Sequence, residues 1–245
     1  MRRFLMTLAA IAAVISGCRE ADNTGIRGYW SSRTLDLSDV AAAEEEFAEF
    51  AEQAVQAPQK EAFAAIDMLL DKVSEDEVVY LVYADWIARA FATLASPCRS
   101  CDIFVYAADK MLSDKKYVGY YCDEYRKHRE FCLHNRVGDK AEIPLLEDGC
   151  CNSISLPLDQ RTLFLVVDQD CPSCKESMTK FVSSKWNDAA HIALCYGHGP
   201  LPVEPDWVCY RIIPDQNILD TREGPFYFVT SADGTIEISY TSVYE

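Results

Sequence analysis

An unbroken apolar run, Leu163-Phe-Leu-Val-Val167, stands three residues ahead of Cys171-Pro172-Ser173-Cys174. A helix-forming segment follows, with Met178, Phe181 and Val182 on one face. The run is short, uninterrupted and rich in branched and aromatic residues, which predicts a strand buried on both faces. A Cys-x-x-Cys at the start of the next helix gains from the unpaired N–H groups and positive dipole end there, which favour a thiolate over a thiol. Pro172 suits the first turn, where its missing N–H would have had no partner. The same four residues can also form a surface disulfide or half of a zinc site. The strand before, the helix after and the proline between favour the redox reading.

Leu163 to Phe181, with the Cys-Pro-x-Cys motif, resembles the thioredoxin superfamily. It is most similar to the membrane-anchored, cytochrome-c-maturation-like thioredoxins of Gram-negative envelopes. The resemblance implies thiol–disulfide exchange. Cys171 would attack a partner disulfide and Cys174 would resolve the mixed disulfide from within the helix. Asp168 and Asp170 flank the motif, and a neighbouring carboxylate raises a thiol's pKa by like-charge repulsion. A reductase or thiol carrier is therefore expected ahead of a primary oxidant.

The N-terminus reads as a targeting segment. Arg2 and Arg3 precede an apolar stretch from Phe4 to Ile15 that is too short to span a bilayer. It ends Ile15-Ser16-Gly17-Cys18, which resembles the bacterial lipoprotein signal: an aliphatic residue, two small ones, then the cysteine that carries lipid. The alternative is an ordinary signal peptide that happens to end near a cysteine. The expected location is the bacterial cell envelope, with the chain lipid-anchored through Cys18 and facing the periplasm. Its expected partners are protein thiols or disulfides there. The net charge of −16, from 23 basic and 39 acidic residues, argues against nucleic acid or an anionic membrane surface as a partner.

Export makes the cysteines meaningful, because disulfides persist in an oxidising compartment. Of the 11 cysteines, Cys18 is assigned to lipid and Cys171 and Cys174 to the motif. Cys98, Cys101, Cys122, Cys132, Cys150, Cys151, Cys195 and Cys209 remain. Cys122 and Cys132 would lie about 15 Å apart along one helix, which excludes a mutual disulfide or a shared tetrahedral metal. If the fourth and fifth helices form an antiparallel hairpin, Cys98 or Cys101 meets Cys132, and a disulfide staple is expected there. A zinc site and a second redox motif at Cys98/Cys101 are alternatives. Cys195 and Cys209 lie in extended pieces and can pair across neighbouring strands; Cys150 and Cys151 cannot readily bridge each other. No cofactor and no metal are expected.

Four segments follow from this reading: a signal peptide (1–17), a tether (18–37), an all-α domain (38–138) and an α/β thioredoxin-like domain (139–245). Val40, Ala43, Phe47, Phe50 and Ala54 share one face of a first helix, opposite a run of glutamates. A second helix carries Phe63, Ile66, Leu70 and Val73. Ser74-Glu-Asp-Glu77 reads as a capping box opening a third helix. Ser96-Pro97 stops that helix, a fourth starts near Asp102, and a fifth runs from Tyr117 to about His134. Gly138 is the expected stop of the helical half. The segments 141–149 and 154–158 look like the hairpin that leads into envelope thioredoxins and packs beside the main strand. The whole course is loosely similar to bacterial lipoproteins that place a helical domain of unknown function before a thioredoxin-like one.

In the second half, strands are expected at His191–Tyr196, around Trp207–Ile213, and in a hairpin at Gly224–Val229 and Thr235–Tyr240. Four prolines between 197 and 224 disfavour a long crossover helix. The expected domain is compact and lacks the superfamily's terminal helix. Pro225 matches the superfamily's cis-proline, which faces the Cys-x-x-Cys in a substrate-binding loop, although Gly224 stands where Thr or Val is more usual. The competing reading is a non-catalytic thioredoxin-fold lipoprotein that binds a partner or ligand and keeps its cysteines as a structural disulfide.

Overall fold

The computed structural model of the chain describes residues 25–114, 119, 122–144, 146, 158–172, 174, 176, 178, 186, 188–213, 218–221 and 224–242. Cys18, Cys150, Cys151 and Ser173 lie outside these residues, as does the signal segment.

The first half is helical, because each apolar stripe needs another to cover it. Helices α1 (Val40–Gln56), α2 (Gln59–Val73), α3 (Glu77–Phe91), α4 (Cys101–Ser113) and α5 (Cys122–Leu133) share one core. Asp39 caps α1 by accepting from the Ala42 N–H at 3.1 Å. The cap of α3 is Asp76, whose carboxylate accepts from the N–H groups of Val78 and Val79. Ser74 instead closes α2, its hydroxyl donating to the Asp71 carbonyl. Both residues have capping chemistry, and a carboxylate serving two amides at the positive helix end is the stronger cap.

The expected tether is shorter than 18–37. Ile26–Gly28 form a 3-10 turn, and Ile26, Tyr29 and Trp30 are buried in the helical core. Trp30 is fully enclosed, 5.0 Å from the Phe50 ring and 6.0 Å from Tyr83.

The second half is a five-stranded mixed sheet in the order β3-β2-β1-β4-β5. Its strands are β1 (Thr162–Asp168), β2 (Ala190–Tyr196), β3 (Val208–Arg211), β4 (Phe226–Thr230) and β5 (Ile236–Ser242). Central β1 runs parallel to β2 and antiparallel to β4, and all of it except Asp168 is buried. One sheet face carries Leu163, Leu165, Val167, Ala193 and Cys195, covered by Cys174, Met178 and Trp186. The other carries Phe164, Val166, Leu194 and Phe228, covered by Ala141, Leu219 and Leu94, the last from the helical half.

The prolines act as expected, since the described crossover is extended and supplies β3, parallel to β2. The edge beside β2 is built by β3 from the crossover, and most of the expected leading hairpin, 145 and 147–157, lies outside the described residues. The described residues of 139–158 make only isolated bridges, Lys140 with Thr235 and Leu146 with Ile212. The turn out of α5 is made by Asn135, not Gly138, at a left-handed φ of 51°. Its side chain both donates to and accepts from the Glu142 backbone, at 3.0 and 2.6 Å. Asparagine tolerates this conformation because it can hydrogen-bond locally. Gly138 follows at φ 94°.

Candidate active site

The site lies where β1 ends. Asp168 and Gln169 turn the chain, with the Gln169 N–H donating to the Tyr196 carbonyl at 2.9 Å and the Cys171 N–H to the Asp168 carbonyl at 3.3 Å. Pro172, Cys174, Glu176 and Met178 are helical, so the motif opens a helix as the sequence implied. The Cys174 N–H donates to the Cys171 carbonyl at 3.2 Å. This geometry separates the two thiols by environment. Cys171 is half-buried at the rim, while Cys174 is 1 % exposed and packs against the sheet with Met178. Burial pushes the Cys174 thiol up to about 12, reinforced by its hydrogen bond to Cys171 and by the charges of Cys171 and Asp168. At neutral pH Cys174 therefore holds its proton and offers it to the Cys171 sulfur.

The two flanking aspartates divide their work. Asp168 accepts from the Asp170 N–H at 2.9 Å and bears electrostatically on Cys174. Asp170 reaches across to the loop after β2, accepting from the His198 N–H at 3.1 Å. That loop fits closely. Gly197 sits at φ 93°, and a Cβ there would lie 2.8 Å from Asp168 Oδ1 and 2.9 Å from Asp170 Oδ2. Arg211, on β3, fastens the same loop by donating to the carbonyls of Gly197 (2.6 Å) and Gly199 (2.7 Å).

The Gly224–Pro225 peptide is cis. Tyr196 links this turn to the cysteines. Its hydroxyl lies 2.7 Å from where a Gly224 Cβ would be. Its pKa is raised by burial and then by the nearby charges of Asp168, Cys174, Cys171 and Asp220. The Tyr196 hydroxyl thus takes the space that a side chain at position 224 would fill. Tyr196, Gly197 and Arg211 escaped the sequence reading. The available signal was Gly197-His-Gly199 at a strand end, a pattern that marks close backbone approach.

The chain is similar along its length to the crystal structure of a thioredoxin-like protein from Bacteroides caccae ATCC 43185. The TM-score is 0.71, over 99 % of this chain and 96 % of that one. The fold is thioredoxin-like. At 15 % identity the likeness speaks to the fold alone. No protein-family profile and no curated protein matches the sequence.

Within this thioredoxin-like fold, Asp168, Asp170, Cys171, Pro172 and Cys174 lie together, and Tyr196 connects them with the Gly224–Pro225 turn. Two further thiol pairs meet, among the pairings the sequence left open. Cys101 lies against Cys132, and Cys195 against Cys209, each pair sharing a sulfur–sulfur hydrogen bond. All four are free thiols here. Among the described residues no cluster of three or more His, Cys, Asp or Glu has the arrangement of a metal site, and no helix is long and apolar enough to cross a membrane.

Proposed function

We propose that the chain is a thiol–disulfide oxidoreductase of the bacterial envelope, held to the membrane by lipid on Cys18 and working as a reductase or thiol carrier on protein disulfides. The observation that carries this reading is the asymmetry of the motif. Cys171 is reachable at the rim, while Cys174 is sealed beneath it and protonated. In the first step the Cys171 thiolate attacks a substrate disulfide, one sulfur of which leaves as a thiolate. Cys174 then gives up its proton, which the leaving thiolate can take. Its sulfur attacks Cys171 and expels the second substrate thiol. The protein ends with a Cys171–Cys174 disulfide and the substrate with two reduced sulfurs: two electrons and the Cys174 proton have passed to substrate, and the second leaving thiolate takes from solvent the proton that Cys171 had released to it. A donor dithiol restores the starting state by the reverse exchange.

The buried, high-pKa Cys174 supports the reductant direction, because no thiolate at that position stabilises the reduced form. Reduction of insulin by the thiol-reduced protein tests the proposal. Activity lost in Cys171→Ser supports it. Activity retained in that variant places the exchange at another thiol, and activity absent from wild type with both thiols in the reduced state points instead to a binding module.

A further inference from the structure

A second pair of thiols meets where the start of α4 packs beside the end of α5. Cys101 is the first residue of α4, after Ser100, whose hydroxyl accepts from the Ile103 N–H at 3.4 Å. Its sulfur shares a hydrogen bond with Cys132, which is 2 % exposed near the end of α5. The two sides differ in charge as well as in access. Cys101 is partly exposed and accepts from Arg99 Nη2 at 3.3 Å. Arg136, ion-paired with Asp102 on the neighbouring helix, adds a second positive charge close to Cys101. Cys132, buried, borders a small cavity lined by Arg99, His128, Phe131 and Asp220, where the Asp220 carboxylate opposes the Arg99 charge.

We propose that Cys101 and Cys132 form a second thiol–disulfide exchange couple, in which Cys101 attacks an external disulfide and Cys132 resolves it. The hydrogen bond from Cys132 and the two guanidinium groups favour a thiolate at Cys101, while burial and the neighbouring Cys101 charge keep the proton on Cys132. The division of labour is that of Cys171 and Cys174, built on a different scaffold. Attack by Cys101 cleaves the external S–S bond and forms a mixed disulfide, releasing one thiolate. Cys132 loses its proton, attacks the Cys101 sulfur and releases the second thiol. The external disulfide gains two electrons from the couple, one proton from Cys132 and one from solvent, replacing the proton that Cys101 had released there, and the protein gains a bond that staples α4 to α5. Cys98 is not the partner, because it is turned into the helical core and its thiol is held up by burial and by Glu52.

The test uses the full chain carrying Cys171→Ser and Cys174→Ser, so that the outcome is independent of the first site. The reduced protein is equilibrated with mixtures of reduced and oxidised glutathione, alkylated and mapped by mass spectrometry. The expected result is a Cys101–Cys132 cross-linked peptide that grows with the oxidised fraction and is reopened by dithiothreitol in native buffer. Adding Cys132→Ser should leave glutathione on Cys101, and Arg99→Gln should slow alkylation of Cys101 severalfold at pH 7. Separate alkylation of both thiols in every mixture, with the helical signal intact by circular dichroism, would overturn the proposal. So would a cross-link that native protein never surrenders to dithiothreitol, because that is a structural staple.

Discussion

Replacing Gly197 by alanine should damage the site through two separable effects. The first is backbone strain. At φ 93° a residue with a Cβ is held in a sparsely populated region, at a cost of roughly 1–3 kcal/mol. The second is collision. The new methyl would sit 2.8 Å from Asp168 Oδ1 and 2.9 Å from Asp170 Oδ2. Carboxylates can swing away, but these two are engaged. Asp168 accepts from the Asp170 N–H and Asp170 from the His198 N–H. Losing each of the two bonds costs roughly 0.5–1.5 kcal/mol, which brings the total to about 2–6 kcal/mol. Gly138 supplies an internal control. Its φ of 94° is nearly the same, yet nothing lies within 4 Å of its would-be Cβ, so Gly138→Ala should show the strain alone. Urea unfolding followed by tryptophan fluorescence gives both numbers. Insulin reduction should also fall in Gly197→Ala, because Asp168 and Asp170 lead directly into Cys171. If Gly197→Ala costs no more than Gly138→Ala, the packing of the two loops is not what secures this end of the sheet.

Gly224→Ala should destabilise by about 1–3 kcal/mol through contact with the Tyr196 hydroxyl. Adding Tyr196→Phe should recover most of that loss, since the next ring atom is 3.7 Å away; failure of the rescue in urea titrations would remove the explanation for glycine at 224. Trp30→Ala should cost about 3–5 kcal/mol, the range for a fully buried tryptophan, whereas a true tether residue would change the unfolding midpoint hardly at all. Reduced protein should lose stability as pH rises above about 9. An unfolded Cys174 ionises there, while the folded thiol keeps its proton until about 12, so the folded state binds the extra proton. Cys174 alone contributes a slope of roughly −1.4 kcal/mol per pH unit in that window, and Cys174→Ala should flatten the measured decline. An unchanged slope in the variant would mean that Cys174 is not shielded as the structure places it.

What the sequence made legible was whatever depended on local pattern. Leu163–Val167 announced a buried strand by lacking any polar interruption, and the prolines after Gly199 spoke against a long crossover helix, where the described residues form no α-helix. The cysteine spacing around α4 and α5 brought Cys98 or Cys101 to Cys132 on the assumption of a helical hairpin, and the structure selects Cys101. What stayed hidden depended on contacts distant in the chain. Tyr29-Trp30 lie in a polar stretch with no periodicity, so nothing local revealed that the helical core encloses them. Ser74 and Asp76 both offer cap chemistry, and only the amides they meet decide between them. Asn135 makes its turn because Glu142 answers both ends of its amide. Gly224 gave no reason for itself in the sequence; Tyr196, 28 residues earlier, fills the space that a side chain there would need. The candidate site was legible as a motif, while the shell that positions it was not.

The most direct test of the central claim is to trap the first exchange step. Cys174→Ala removes the resolving sulfur and leaves Cys171 at the rim. Incubated with glutathione disulfide and mapped by mass spectrometry, this variant should carry a stable glutathione adduct on Cys171, which wild type resolves into a Cys171–Cys174 bond. A folded variant whose Cys171 is alkylated by iodoacetamide yet takes up no glutathione would contradict the account.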